Sequence, residues 1–162
     1  MALVTEELKA KAEVYHGDEI CQEKSKFLLQ ELGLPRGVLP LKDIIECGHV
    51  EETGFVWLKQ KKKIEHCFEK IGRVVSYAPV ITAYVEKFKI KKLTGVKAKE
   101  LLMWLSLNEI SVDEPPTGKL TCKALGGIFR TFPTSAFELE EEKKVEAQVP
   151  PLNQASQVLS NK

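Results

Sequence analysis

From Val38 onward the apolar residues take up the two-residue period of strands, and this limits the fold more than any other feature of the chain. IIECGHVEETGFVWLKQ has the form of a hairpin, with Glu51 to Gly54 as its turn and Phe55 to Leu58 opening the return strand. IEHCFEKIGRVVSY alternates more loosely, with Gly72 placed to make a bulge, and VITAYVEKFKI is rich in β-branched and aromatic residues. KELLMWLSLNEISV contains good helix formers. However, Leu101 to Leu105 is apolar on every side and NEISVD favours extended backbone, so the pattern predicts a long central strand. DEPPTGKL reads as a turn, followed by KLTCKALGGIF and TFPTSAF as the last strands. About seven strands in antiparallel succession predict a mainly β fold, a β-barrel or sandwich.

Two α-helices are expected before it. Thr5 can cap a helix that places Leu8, Ala12 and Tyr15 on one face. Asp18 is suited to N-cap a second helix, whose stripe of Cys21, Ser25, Leu28 and Leu32 is widened by Phe27 and Leu29. Gly33 supplies a left-handed cap and Pro35 blocks continuation. The apolar face of this helix is expected to cover one end of the sheet. After Phe137 the chain is acid-rich and free of aromatics, the composition of a disordered tail. The expected organisation is helices over 1–34, the β domain over 35–137 and the tail over 138–162. A chain of 162 residues that is 43% hydrophobic suffices for one domain with a core.

Motifs for chemistry are scarce. Gly95 lacks the Gly-Lys-Ser/Thr of a phosphate-cradling loop, and no serine stands in a nucleophile elbow, so no catalytic residue is assigned. Cys47, His49, His66 and Cys67 resemble a metal set. On strands, however, His66 and Cys67 point to opposite faces and the loop spacings of zinc sites are absent, so no metal or other cofactor is expected. Four scattered cysteines suit buried free thiols in a reducing compartment. MALVTEELKAKAEVY has no long apolar run, and no lipidation signal is evident, so the protein is expected in the cytoplasm or at the periphery of a membrane, without a transmembrane segment.

Charge is the informative quantity. The net value is only +1, but residues 59–99 hold 12 basic and 3 acidic side chains. Lys87, Lys89 and Lys91 share one face of a strand, with Phe88 and Ile90 on the other. Gly95 then serves as a tight connection or bulge, with Lys97 and Lys99 continuing the row on the next strand. If Lys59 to Lys63 close a neighbouring hairpin, the rows merge. The candidate binding set is therefore Lys59, Lys61, Lys62, Lys63, Lys89, Lys91, Lys92, Lys97 and Lys99. Lysines outnumber arginines 21 to 3, which suits diffuse attraction to an anionic lipid surface better than bidentate reading of nucleic acid.

GDEICQEK, LPRGVLPLKDI, TGFVWLKQKKKIEH, VSYAP, KIKKLTGVKAKELLMWLSLNEI and FRTFPTSAF together resemble the plant family called domain of unknown function 538 (DUF538), over roughly residues 5–137. The chain is most similar to its subgroup of "smaller with variable branches" proteins, linked to trichome size and branching. The resemblance implies a β-barrel or sandwich preceded by helix, likened to half of a bactericidal/permeability-increasing-type lipid-binding domain. It also implies phosphoinositide binding for this subgroup and esterase-like activity for other members, with no catalytic residues to carry over. The expected function is that of a non-enzymatic, lipid-associated regulator. The alternatives are a weak esterase on lipid or chlorophyll-like substrates and a protein-interaction scaffold in development or stress.

Overall fold

The hairpin expected between Ile44 and Gln60 forms. β2 (Ile44–Val50) pairs with β3 (Phe55–Gln60), and Gly54 takes the left-handed conformation at φ 82°. Before it lie α1 (Glu6–Lys11), β1 (Glu13–His16) and α2 (Asp18–Glu31). After it come β4 (Ile64–Phe68), β5 (Arg73–Glu86), β6 (Lys89–Glu100), β7 (Met103–Val112), β8 (Lys119–Ala124), β9 (Phe129–Pro133) and a short 3-10 turn over Thr134–Phe137. The structure is a computed structural model that describes residues 4–139, so the tail expected over 138–162 falls almost wholly outside the described residues. The nine strands make one antiparallel sheet in the order β1-β2-β3-β5-β6-β7-β8-β9, with β4 also on β5. Its outer strands do not meet, so the sheet does not close into a barrel.

Four expectations about local structure are corrected. The first helix stops at Lys11, and Tyr15 lies instead on β1, in register with Cys47 of β2. β-branched and aromatic residues in Val14-Tyr15 suit a sheet edge better than a third helical turn. Asp18 is not the N-cap of α2: Gly17 is, at φ 102°. The Asp18 carboxylate instead accepts from Ile44 N–H at 2.9 Å and from Gln22 at 3.2 Å, tying the start of α2 to the start of β2. IEHCFEKIGRVVSY is not one bulged strand but β4, a turn and the beginning of β5, which continues unbroken through Val80 to Glu86.

The fourth concerns KELLMWLSL. Leu101 and Leu102 form the turn between β6 and β7, at 89% and 93% exposure, so the apolar run is not the start of a buried strand. Register decides this: Glu100 pairs with Met103, which leaves the two leucines outside the ladder.

The two faces of the sheet are covered unequally. α2 and the loop after it pack on the inner face, where Cys21, Leu29, Leu34 and Val38 join Leu58, Ile81, Val96 and Leu107 in the main core. On the outer face α1 covers a small second core of Val50, Phe55 and Trp57, against which Leu8, Val14 and Tyr84 pack. Gly48 belongs to this arrangement, since a Cβ there would stand 2.2 Å from the Trp57 ring. Beyond β5 no helix covers the outer face among the described residues.

Candidate functional site

The alternation of β6 places Val96 and Ala98 toward the main core and Lys97 and Lys99 outward. Nearer its start Ile90 and Leu93 are buried while Lys89 and Lys91 face out. Two inward residues separated by three positions require a slip in the pleat. Lys92 supplies it with φ 51°, and its ammonium stands 5.3 Å from the centre of the Tyr84 ring on the outer face. Gly95, at φ 85°, makes a second irregularity, and a Cβ there would collide with the Val80 carbonyl. It is therefore a bulge inside β6, not a connection, and Lys97 and Lys99 lie on the same strand as Lys89, not on the next one.

The nine lysines are not brought into one patch. Lys59 is half-buried and ion-paired with Glu46 at 3.5 Å. Glu46 also accepts from the Trp57 indole at 2.8 Å and meets Lys9 and His16, so Lys59 belongs to the support of the second core. Lys61, Lys62 and Lys63 do not close a hairpin. β3 and β4 run one after the other along the same side of β5, Lys59 pairing with Val80 and Ile64 with Tyr77. The lysines fill the gap opposite Pro79, which has no N–H to offer a ladder. On β6 itself, Lys89, Lys91 and Lys92 are separated from Lys97 and Lys99 by about 16 Å or more at about 3.3 Å per residue, well beyond a Debye length of about 8–10 Å. Lys91 is ion-paired with Glu86 at 2.5 Å. Lys97 has no ion pair among the described residues, and Lys99 lies 5.9 Å from the centre of the Trp104 ring.

A second feature escaped sequence reasoning. Between α2 and the inner face lies a partly open cavity of about 430 Å3, lined by Leu28, Leu32, Val56, Ala83, Ile90 and Leu93. Lys24, Glu13, Glu31 and His49 also border it. Its size falls in the range of small-molecule sites. The stripe of α2 is visible in the sequence, but the gap it leaves over the sheet depends on the tertiary distance between the two.

The remaining chemistry-bearing residues stay apart. Among the described residues no three His, Cys, Asp or Glu side chains converge as metal ligands. Cys47 is buried and half-buried Cys122 lies on β8; burial pushes each thiol up to about 12, where it stays protonated at neutral pH. All four cysteines are free, but Cys67 is exposed, because it shares with Glu65 the face of β4 opposite buried Phe68. The His66 ring packs edge-on against Phe68 at 4.5 Å, and burial, then Lys42, holds it below the usual imidazole range. No described helix is long and apolar enough to cross a membrane.

No curated protein and no solved structure matches the chain. One family profile does, over residues 25–138, from the middle of α2 through the last turn of the fold. The chain belongs to the family described as protein of unknown function, DUF538.

Proposed function

We propose that the protein is a non-enzymatic, lipid-associated protein that binds anionic headgroups at the cytoplasmic surface of a membrane through the lysines of β6. The observation that supports this reading is the outward face of β6, which presents Lys89, Lys91 and Lys92 near its start and, as a separate pair with no ion pair among the described residues, Lys97 and Lys99 near its end. A headgroup with several phosphates, such as a polyphosphorylated inositol lipid, suits the adjacent ammonium charges of Lys97 and Lys99 better than a singly charged one. Near an anionic bilayer each lysine contributes about 1 kcal/mol, and the effect fades beyond about 10 Å.

Co-sedimentation with vesicles of phosphatidylcholine, with and without phosphatidylinositol bisphosphate, tests it. Wild type should bind only the charged vesicles, less as salt rises. Lys97→Gln/Lys99→Gln should weaken binding about thirtyfold, the equivalent of about 2 kcal/mol. Binding that ignored both salt and lipid charge would refute the proposal.

The cavity beneath α2 favours a second reading, uptake of a small apolar molecule such as a single acyl chain, which is compatible with the first. The esterase alternative finds no hydroxyl or thiol hydrogen-bonded to a histidine among the described residues.

A further inference from the structure

Nine large apolar side chains are substantially exposed among the described residues, and seven of them crowd one end of the sheet. Leu101, Leu102, Met103 and Trp104 form the β6–β7 tip, at 89%, 93%, 60% and 40% exposure. Leu125, Ile128 and Phe129 form the β8–β9 tip beside it. The two tips are held together. Leu125 N–H donates to the Ser106 carbonyl at 2.9 Å, and Glu100, at the end of β6, accepts from both Arg73 and Arg130. A concentration of this kind on a folded domain marks an interaction site, whereas scattered exposed leucines do not.

Turn chemistry points the same way. Leu101 has φ 57°, a conformation that two-residue turns normally give to Asn or Gly. A polar residue would be easier to hold there and easier to expose. Local rules broken on both counts at one position are characteristic of places kept for function.

The occupant follows from the surroundings of the tips. Lys97 and Lys99 stand just behind the first tip on the outer face, and Lys123 stands beside the second. Lys70 lies on the β4–β5 turn at the same end, where the Arg73 and Glu100 side chains meet. Two carboxylates stand at this end: Glu100 is held between two arginines, and Glu69 is the neighbour of Lys70 on the β4–β5 turn, so the cations still outnumber them. Apolar side chains at the extremity, cations one step behind and a tryptophan between them match the layers of an anionic bilayer: acyl chain, headgroup and interface. A second copy of this chain would bring like charges together.

We propose that the two hairpin tips insert into an anionic membrane, with Lys97 and Lys99 at headgroup level. This rests on the lipid-binding reading above and adds an orientation, in which Lys89 and Lys92 stay away from the surface. It also adds an apolar anchor to the attraction exerted by the lysines.

The test compares full-length wild type with Leu101→Ser/Leu102→Ser and, on the other tip, Leu125→Ser/Phe129→Ser. Vesicles of phosphatidylcholine and phosphatidylserine are used at physiological salt, with sedimentation velocity run in their absence. The substituted side chains are exposed, so the melting temperatures should match wild type and any loss reports on contact with the membrane. Insertion predicts about a hundredfold weaker binding for the first variant, roughly tenfold per leucine removed from the bilayer. A clear loss is also expected for the second. Wild-type binding that both variants retain in full would overturn insertion while leaving the electrostatic reading intact. A wild type that binds no charged vesicle would overturn both. A wild-type dimer that either variant converts to monomer would assign the tips to self-association instead.

Discussion

Two tryptophans stand on the outer face of the same sheet, and their surroundings differ in every respect. Trp57, on β3, is fully buried beneath α1, donates its indole N–H to Glu46 and packs beside Phe55. Trp104, at the start of β7, is 40% exposed, with the Lys99 ammonium 5.9 Å from the centre of its ring. One half of the outer face has its own helix to cover its aromatic residues, while the other half presents them bare on the tips of hairpins. A helix and a buried carboxylate cover one tryptophan, whereas no described element covers the other, which suits the membrane contact proposed above.

Truncation should separate the two residues most sharply. Trp57→Ala is expected to cost about 3–5 kcal/mol of unfolding free energy, the range for emptying an aromatic site in a packed core. Trp104→Ala should cost much less, about 1 kcal/mol, since the side chain is substantially exposed and lies outside both cores. Denaturant titration checks both. Equal losses would mean that the tip belongs to the folded core.

A smaller effect belongs to Glu46, which only the Trp57 half possesses. Burial pushes its carboxyl up, but the Trp57 indole, Lys59 and Lys9 outweigh that and hold it below the usual carboxylate value. With the folded value depressed, Glu46 contributes stability that is complete above about pH 4.5, the ordinary range for a glutamate, and is lost as pH falls through its own lower value. Glu46→Gln should therefore lower stability at neutral pH and flatten the acid limb of the stability–pH curve. An unchanged acid limb would show that the cluster is not the acid-labile element.

The covered half of the molecule was the more legible in sequence. The β2–β3 hairpin follows from Glu51 to Gly54 lying between two apolar runs, and the end of α2 from Gly33, at φ 78°. β1 was hidden because a four-residue strand depends on a partner thirty or more positions away, which no local pattern records. The nine lysines could be assigned to strand faces from alternation. Their division into separate groups could not, because it depends on the bulges at Lys92 and Gly95 and on β3 and β4 sharing one side of β5. Leu101 to Leu105 was misplaced for a physical reason: an unbroken apolar run implies burial only if the chain itself supplies the cover.

Brominated lipids provide the most direct measurement, because bromine near the bilayer surface quenches only indoles that reach it. With two tryptophans in the chain, one sealed under α1, the signal reports on Trp104. On anionic vesicles carrying bromine at shallow acyl positions, bound wild-type protein should lose a large part of its Trp104 emission, with the remainder shifted to the blue. Iodide in the water should then quench less than it does in free protein. Bound protein whose emission is unaffected by bromine and still open to iodide would contradict insertion of the bare end.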